Sequence, residues 1–237
     1  MKVLITTDWY DPVINGVVTS VHTLEEELQK RGHEVRVLTL SRNYRSYEKE
    51  HVYYMGSTSA GRIYPQARFR LPIPERYVGE LMEWGPDIIH SQCEFSTFFI
   101  ARKIACEGNI PIIHTYHTIY EDYTHYFSLN KTWGKNVVRQ ITRKLSRQVS
   151  GMIVPSEKIR RILEGYQVEC RCGLSRPESG SLNLADPEKK ELPEGRNGGK
   201  RYGNATCLHQ TAQFFFMWVG RHSRWQSGGD CKSYLEK

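Results

Sequence analysis

No run of apolar residues in this 237-residue chain approaches the roughly 20 that a bilayer-spanning helix needs. The apolar start Val3-Leu4-Ile5 is broken by Asp8 before a secretory core can form, so a cytoplasmic location is expected. The sequons beginning at Asn130 and Asn204 then carry no glycan. The glycine fingerprint G-x-G-x-x-G is missing, which counts against NAD and FAD, and Walker A is missing too, which counts against an ATPase. Cysteine is sparse: of six, only Cys93 and Cys106 precede residue 170. A cytosolic setting argues against disulfides. Cys170, Cys172, Cys207 and His209 lack the usual two-residue zinc spacers. Neither metal nor cofactor is expected.

What is present is an excess of positive charge, +7 overall with a pI near 9.1. Residues 1–169 carry 22 basic and 19 acidic groups, and 170–237 carry 11 and 7. Such a balance permits binding to nucleic acid or to anionic lipid, and the placement of the charge must choose.

The first forty residues alternate strand, helix, strand. Residues 3–6 are apolar, and 17–31 repeat Val17, Val21, Leu24 and Leu28 on one face with Glu25–Glu27 outside. Gly32 stops that helix, and 33–40 alternate as a second strand. Further strands are expected at 51–55, 87–90, 111–116 and 151–154, and helices at 76–84, 96–107, 132–148 and 156–164. This order predicts an α/β domain with a Rossmann-like, doubly wound parallel sheet. From Cys170 onward Gly, Ser, Pro, Asn and Arg dominate without apolar period. Residues 170–237 are expected to be an unpatterned, disordered tail rather than a second domain.

Three places could carry chemistry. Gly16 directly precedes a helix, whose free amides and dipole favour a phosphate, although turn geometry alone also explains a glycine there. Strands end in His90, Gln92 and Glu94, and again in His114 and His117, followed by tyrosines and acids. Each alone reads as a satisfied strand-end polar group; two such clusters at one sheet edge favour a cleft. Finally, Lys131, Lys135, Arg139, Arg143 and Arg147 recur every four residues, offset by two from Trp133, Val137, Ile141, Leu145 and Val149. The two rows are expected on opposite helix faces. A solvated basic face and a face that meets anionic phospholipid both fit, while nucleic acid lacks the interleaved aromatics it would need.

Residues 1–169 resemble the amino-terminal domain of family-4 retaining glycosyltransferases, the acceptor-side half of the two-domain GT-B fold. Within that family the likeness is to bacterial diacylglycerol glucosyltransferases. It rests on Asp8-x-Tyr10-x-Pro12-x-x-Asn15-Gly16-Val17, on Arg31-Gly32-His33-Glu34-Val35, on Asp87-Ile-Ile-His90-x-Gln92-x-Glu94-Phe95-Ser96, on His114 through Tyr126, and on Val154-Pro155-Ser156-Glu157. The resemblance implies a nucleotide-sugar donor, usually UDP-glucose, and a lipid acceptor at the inner face of the cell membrane. It places Asn15, Gly16 and Val17 at the donor diphosphate and His117 at the reaction centre. Glu121 and Asp122 either serve the acceptor hydroxyl or are structural. Tyr10, Gln92, Glu94, Tyr116, Tyr120 and Tyr123 would line the cleft. Lys131, Trp133, Lys135, Arg139, Arg143 and Arg147 would meet the membrane.

The family's second Rossmann domain, with its Arg/Lys pair and paired glutamates, is not recognisable after Cys170. A frame shift would account for this. Read from each third base, codons permitted by Gly173–Ser179 give Val-Ile-Pro-Thr-Gly-Ile, the usual interdomain sequence. The expectation is therefore an out-of-frame product from about residue 171, testable on the gene's nucleotide sequence, and weak or absent turnover by this chain alone. A non-catalytic lipid-surface-binding remnant is the alternative.

Overall fold

A computed structural model describes residues 1–61, 67–70, 75–117 and 131–168, with side chains from Gly134 in the last of these. Nine strands and five helices lie in these segments. They are β1 (Lys2–Thr6), α1 (Gly16–Lys30), β2 (Glu34–Leu40), β3 (Tyr47–Lys49), β4 (Val52–Met55), β5 (Thr58–Ser59), β6 (Arg68–Phe69), α2 (Arg76–Trp84), β7 (Ile88–Ser91), α3 (Ser96–Gly108), β8 (Ile112–Thr115), α4 (Lys131–Ser146), β9 (Gly151–Ile153) and α5 (Glu157–Gly165). The expected strands and helices are all present within two residues at each end. The tail, its frame and its boundary at residue 170 lie outside the described residues, as do Cys170, Cys172, Cys207 and His209.

Seven strands form one sheet in the order β3-β4-β2-β1-β7-β8-β9. Only β3 is antiparallel in it, a short exposed hairpin partner of β4. The six parallel strands, numbered among themselves, run 3-2-1-4-5-6, the doubly wound Rossmann order. The order reverses between β1 and β7, which pair directly, Val3 opposite Ile88 and Thr6 opposite Ser91. Loops leaving those two strands diverge to opposite faces and leave a crevice at their carboxyl ends.

Strand alternation divides the core. Val3, Ile5, Val35 and Val37 pack with Val21, Leu24 and Leu28 of α1, while Leu4, Leu38, Ile89 and Ile112 pack on the opposite face with Leu81 of α2 and Ile104 of α3. A third cluster, with Met152, Val138, Leu145, Leu163, Tyr166 and Val168, seals α4 and α5 over the β9 end. The turn after α1 needs Gly32, at φ +77°, where its amide bonds the carbonyl of Gln29 at 2.9 Å.

One residue of α1 corrects the pattern reading. Glu25 was expected outside with Glu26 and Glu27, yet it is buried. The Tyr10 hydroxyl donates to its Oε2 at 2.8 Å, Gln29 Nε2 donates to Oε1, and His51 Nε2 meets that same oxygen. A carboxylate supplied with this many donors can occupy the helix–sheet interface.

Candidate functional site

The crevice at the β1–β7 switch point is built from three strand ends. After β1 the chain turns through Thr7 and Asp8. After β7 come Gln92, Cys93 and Glu94, and after β8 come Tyr116 and His117.

Asp8 joins the first two. Its Oδ1 accepts the Thr97 amide at 2.9 Å and the Thr97 hydroxyl at 2.7 Å, so a side chain from the β1 loop caps the amino end of α3. Burial pushes the Asp8 carboxyl up to about 6; the Thr97 bonds oppose the rise and nearby Glu94 adds to it. Cys93 beside it is a free, buried cysteine, and burial raises its thiol well above the ordinary range. It therefore stays protonated, unlike an activated nucleophile.

A second set connects β7 to β8. His117 Nε2–H donates to Gln92 Oε1 at 2.5 Å, and Gln92 Nε2 turns its amide hydrogens toward His90 Nε2 at 3.3 Å. The Thr115 hydroxyl also meets His90 Nε2, at 2.8 Å. These bonds assign His90 as an Nδ1–H tautomer and His117 as an Nε2–H tautomer. Burial lowers His90 to about 3, with His114 and His117 contributing. Burial likewise lowers His117 to about 4, partly opposed by Glu94. Both imidazoles are thus neutral near pH 7. His117 is a fixed polar group rather than a cation, with Nδ1 as its acceptor nitrogen.

His114 completes the cluster. It is fully buried, with Nδ1 3.2 Å from the Ser91 hydroxyl and Nε2 3.4 Å from Glu94 Oε1, and Phe98 packs edge-on against its ring at 5.7 Å. Two strand ends, those of β7 and β8, thereby present His90, Gln92, Glu94, His114 and His117 as one polar wall.

Helix α1 follows the loop that leaves β1, so it begins at the same carboxyl edge of the sheet. Asn15 is its cap, with Oδ1 accepting the Val18 amide at 2.9 Å. Gly16 is exposed, and a Cβ added there meets nothing within 4 Å. The first-turn amides of Gly16 and Val17 precede the one that Asn15 satisfies, as an anion-binding helix start requires.

Other expected residues sit elsewhere. Tyr10 lies in the α1-side core with its hydroxyl bound to Glu25. Tyr116 is 2% exposed in the third core cluster, its hydroxyl 3.3 Å from Thr142. Both are packing residues rather than crevice lining. Tyr120, Glu121, Asp122 and Tyr123 lie outside the described residues. Sequence reading assigned no role to Asp8 or Thr97; the signal available was an acid just beyond a strand end and a threonine at a helix start far along the chain.

Helix α4 departs from its expected phase. Val138, Thr142 and Leu145 are buried, whereas Ile141 is 60% exposed. Arg139 and Arg143 are half-buried, and Arg143 Nε donates to the Tyr166 carbonyl at 2.5 Å beyond the end of α5. The cause is geometric. A row spaced by four drifts about 40° per step, so a five-member row winds nearly half around the helix instead of keeping one face. Lys135, Lys144 and Arg147 remain exposed, while the side chains of Lys131 and Trp133 are outside the described residues. No helix among the described residues is long and apolar enough to cross a membrane.

A parallel sheet in Rossmann order, a helix start open to an anion and a polar wall at the switch point together make an α/β domain of Rossmann type with a polar crevice. The sequence pattern of Glycosyltransferase Family 4 matches residues 14–172, two thirds of the chain, and the chain belongs to that family. It is 33% identical over 195 residues to the alpha-monoglucosyldiacylglycerol synthase of Streptococcus pneumoniae, covering 82% of this chain and 43% of that protein. The synthase of the same name from Acholeplasma laidlawii is 33% identical over 168 residues, covering 67% and 42%. The chain thus spans less than half the length of these relatives. Among solved structures, a sucrose-phosphate synthase from Thermosynechococcus elongatus aligns over 74% of this chain and 91% of its own, at 13% identity and a TM-score of 0.40. The catalytic domain of starch synthase IV from Arabidopsis thaliana aligns over 56% and 38%, at 17% identity and a TM-score of 0.33.

Proposed function

We propose that this chain carries the acceptor-side half of a retaining glucosyltransferase cleft, with UDP-glucose as donor and a diacylglycerol-type lipid as acceptor. The observation that carries the reading is the convergence of the His117–Gln92–His90 chain and the α1 amino terminus on the β1–β7 switch point. The printed names of the two synthases support the lipid and the sugar. A relative named as a GDP-mannose-dependent alpha-mannosyltransferase, 30% identical over 124 residues, supports nucleotide-sugar chemistry as the common ground.

In this reading the amides of Gly16 and Val17 receive the donor diphosphate. Neutral His117, held by Gln92, orients the transferred sugar through hydrogen bonds. The sugar is attacked on the face its leaving phosphate departs from, and that phosphate assists deprotonation of the acceptor hydroxyl. The protein's contribution is positioning and the stabilisation of charge on the diphosphate. Glu121 and Asp122 serve the acceptor hydroxyl. Exposed Ile141, with Lys135, Lys144 and Arg147 on the same helix, rests against the inner face of the membrane, so the protein is peripheral. Donor contacts from an opposing domain complete the cleft in this reading.

The test is complementation. The full chain is mixed with a separately produced carboxy-terminal half of the Streptococcus pneumoniae relative, and transfer from labelled UDP-glucose into diacylglycerol vesicles is measured. Transfer in the mixture that disappears with His117→Ala is the expected result. No transfer, with vesicle binding retained, sinks it in favour of a lipid-binding remnant, a reading that the chain's coverage of less than half of each synthase keeps in play.

A further inference from the structure

A pocket of about 330 Å³ lies between α4 and α5, lined by Lys135, Asn136 and Arg139 from one helix and by Arg161, Ile162 and Tyr166 from the other side of the groove. Both helices follow parallel strands and run back from the carboxyl edge of the sheet, so this pocket is on the outer flank of the domain and not in the crevice. Three cationic side chains enter it, and among the described residues no acidic side chain lines it. A carboxylate close by is Glu157, which Arg161 Nε approaches at 3.4 Å while Glu157 also binds Arg160.

Two details distinguish this groove from a solvated basic face. Arg139 Nε is buried and has no hydrogen-bond partner among the described residues. A buried charged donor left without an acceptor is costly, and folded proteins supply one or leave room for it. In addition, the partial negative charge at the carboxyl end of α5 is already answered. Arg143 donates to the Tyr166 carbonyl at 2.5 Å and to the side chain of Gln167. Arg143 thus answers the helix end, and Lys135, Arg139 and Arg161 surround a volume many times the space of one water.

We propose that the α4–α5 pocket is a binding site for a phosphate-type oxyanion, a phosphate monoester or diester group held by Arg139 with Lys135 and Arg161. The planar guanidinium of Arg139 offers donors in the fork geometry that phosphate oxygens accept. The source is either a phospholipid headgroup or a soluble phosphate compound, which share this chemistry. The site does not depend on sugar transfer, and its test reads no transfer.

The full chain is titrated calorimetrically with sodium phosphate against sodium chloride of matched ionic strength. Saturable phosphate binding is expected, weakened about tenfold or more by Arg139→Gln, the effect of losing one charge-assisted contact. Because Arg139 is half-buried, the exposed pair Lys135→Gln with Arg161→Gln is measured beside it and is expected to weaken binding likewise. Lys30→Gln, on α1, is expected to change nothing. Absence of phosphate binding, binding indifferent to both pocket variants, or an equal loss in Lys30→Gln overturns the proposal. Cosedimentation with phosphatidylglycerol and phosphatidylcholine vesicles then separates the sources. Loss of phosphatidylglycerol binding in Arg139→Gln, a residue outside the proposed membrane-facing set, identifies the headgroup, and unchanged vesicle binding with lost phosphate binding identifies a soluble ligand.

Discussion

Replacing Asp8 by Asn should make the protein more stable relative to wild type as pH rises, through one identifiable group. Asp8 is raised from 3.8 to about 6 by burial. Between those values the folded protein holds a proton that the unfolded chain has released. Stability from this group is therefore fully present below pH 4 and is lost as pH climbs through 6. The shift of about two units corresponds to about 3 kcal/mol at about 1.4 kcal/mol per unit. The substituted asparagine does not titrate. It keeps an oxygen for the Thr97 amide and hydroxyl, but its NH₂ replaces the second carboxylate oxygen, and that mismatch adds an offset. The offset is independent of pH, and both histidine titrations are common to the two proteins. The quantity to measure is thus the difference in unfolding free energy, Asp8→Asn minus wild type, from urea denaturation at pH 4 and again at pH 7. That difference should rise by about 2–3 kcal/mol between the two. A difference that stays flat, or that falls, would falsify the assignment of Asp8 as a desolvated carboxyl.

Three further outcomes follow from the same contacts. His90, held near 3 by burial, takes up its proton in the unfolded chain below about 6.5; wild-type stability should fall by about 2–3 kcal/mol on that account between pH 6.5 and 4.5, with His117 at the rim adding less, and the urea midpoint against pH should fall even though Asp8 opposes it. A His90→Asn variant should lose most of that slope. Glu25→Ala strips the acceptor from Tyr10, Gln29 and His51 at once and should cost about 2–4 kcal/mol, against about 1 kcal/mol for Tyr10→Phe, both read by thermal or urea unfolding. Gly56→Ala would bring a Cβ to 2.2 Å from the Tyr44 carbonyl oxygen and should destabilise by about 1–3 kcal/mol, whereas Gly16→Ala, facing open space, should leave stability nearly unchanged.

The parallel strands were legible because a strand buried on both faces shows as a short apolar run, and helices with two-sided patterns separate them. The exposed β3 and the two-residue β5 and β6 bury too little to leave such a pattern. At the crevice, strand-end histidines were visible as polar breaks in apolar runs. Their wiring was not: the contact from Asp8 to Thr97 joins residues 89 positions apart, and no local period encodes it. Glu25 and the two tyrosines misled for a related reason. A polar atom is read as exposed unless its partners are known, and two of those of Glu25, Tyr10 and His51, come from outside its helix. On α4 the four-residue recurrence was real, but its drift around the helix decided which side chains were buried.

The Tyr10–Glu25–His51 knot has a mechanical meaning. It fastens the middle of α1 to the loop before it and to the loop preceding β4, while Leu24 and Leu28 hold the same helix to the sheet. A ligand arriving at the Asn15 end therefore meets a helix that cannot slide or tilt without breaking buried polar contacts. Any closure over that end would have to come from something moving toward this domain as a whole, with α1 acting as the anvil and not the hammer.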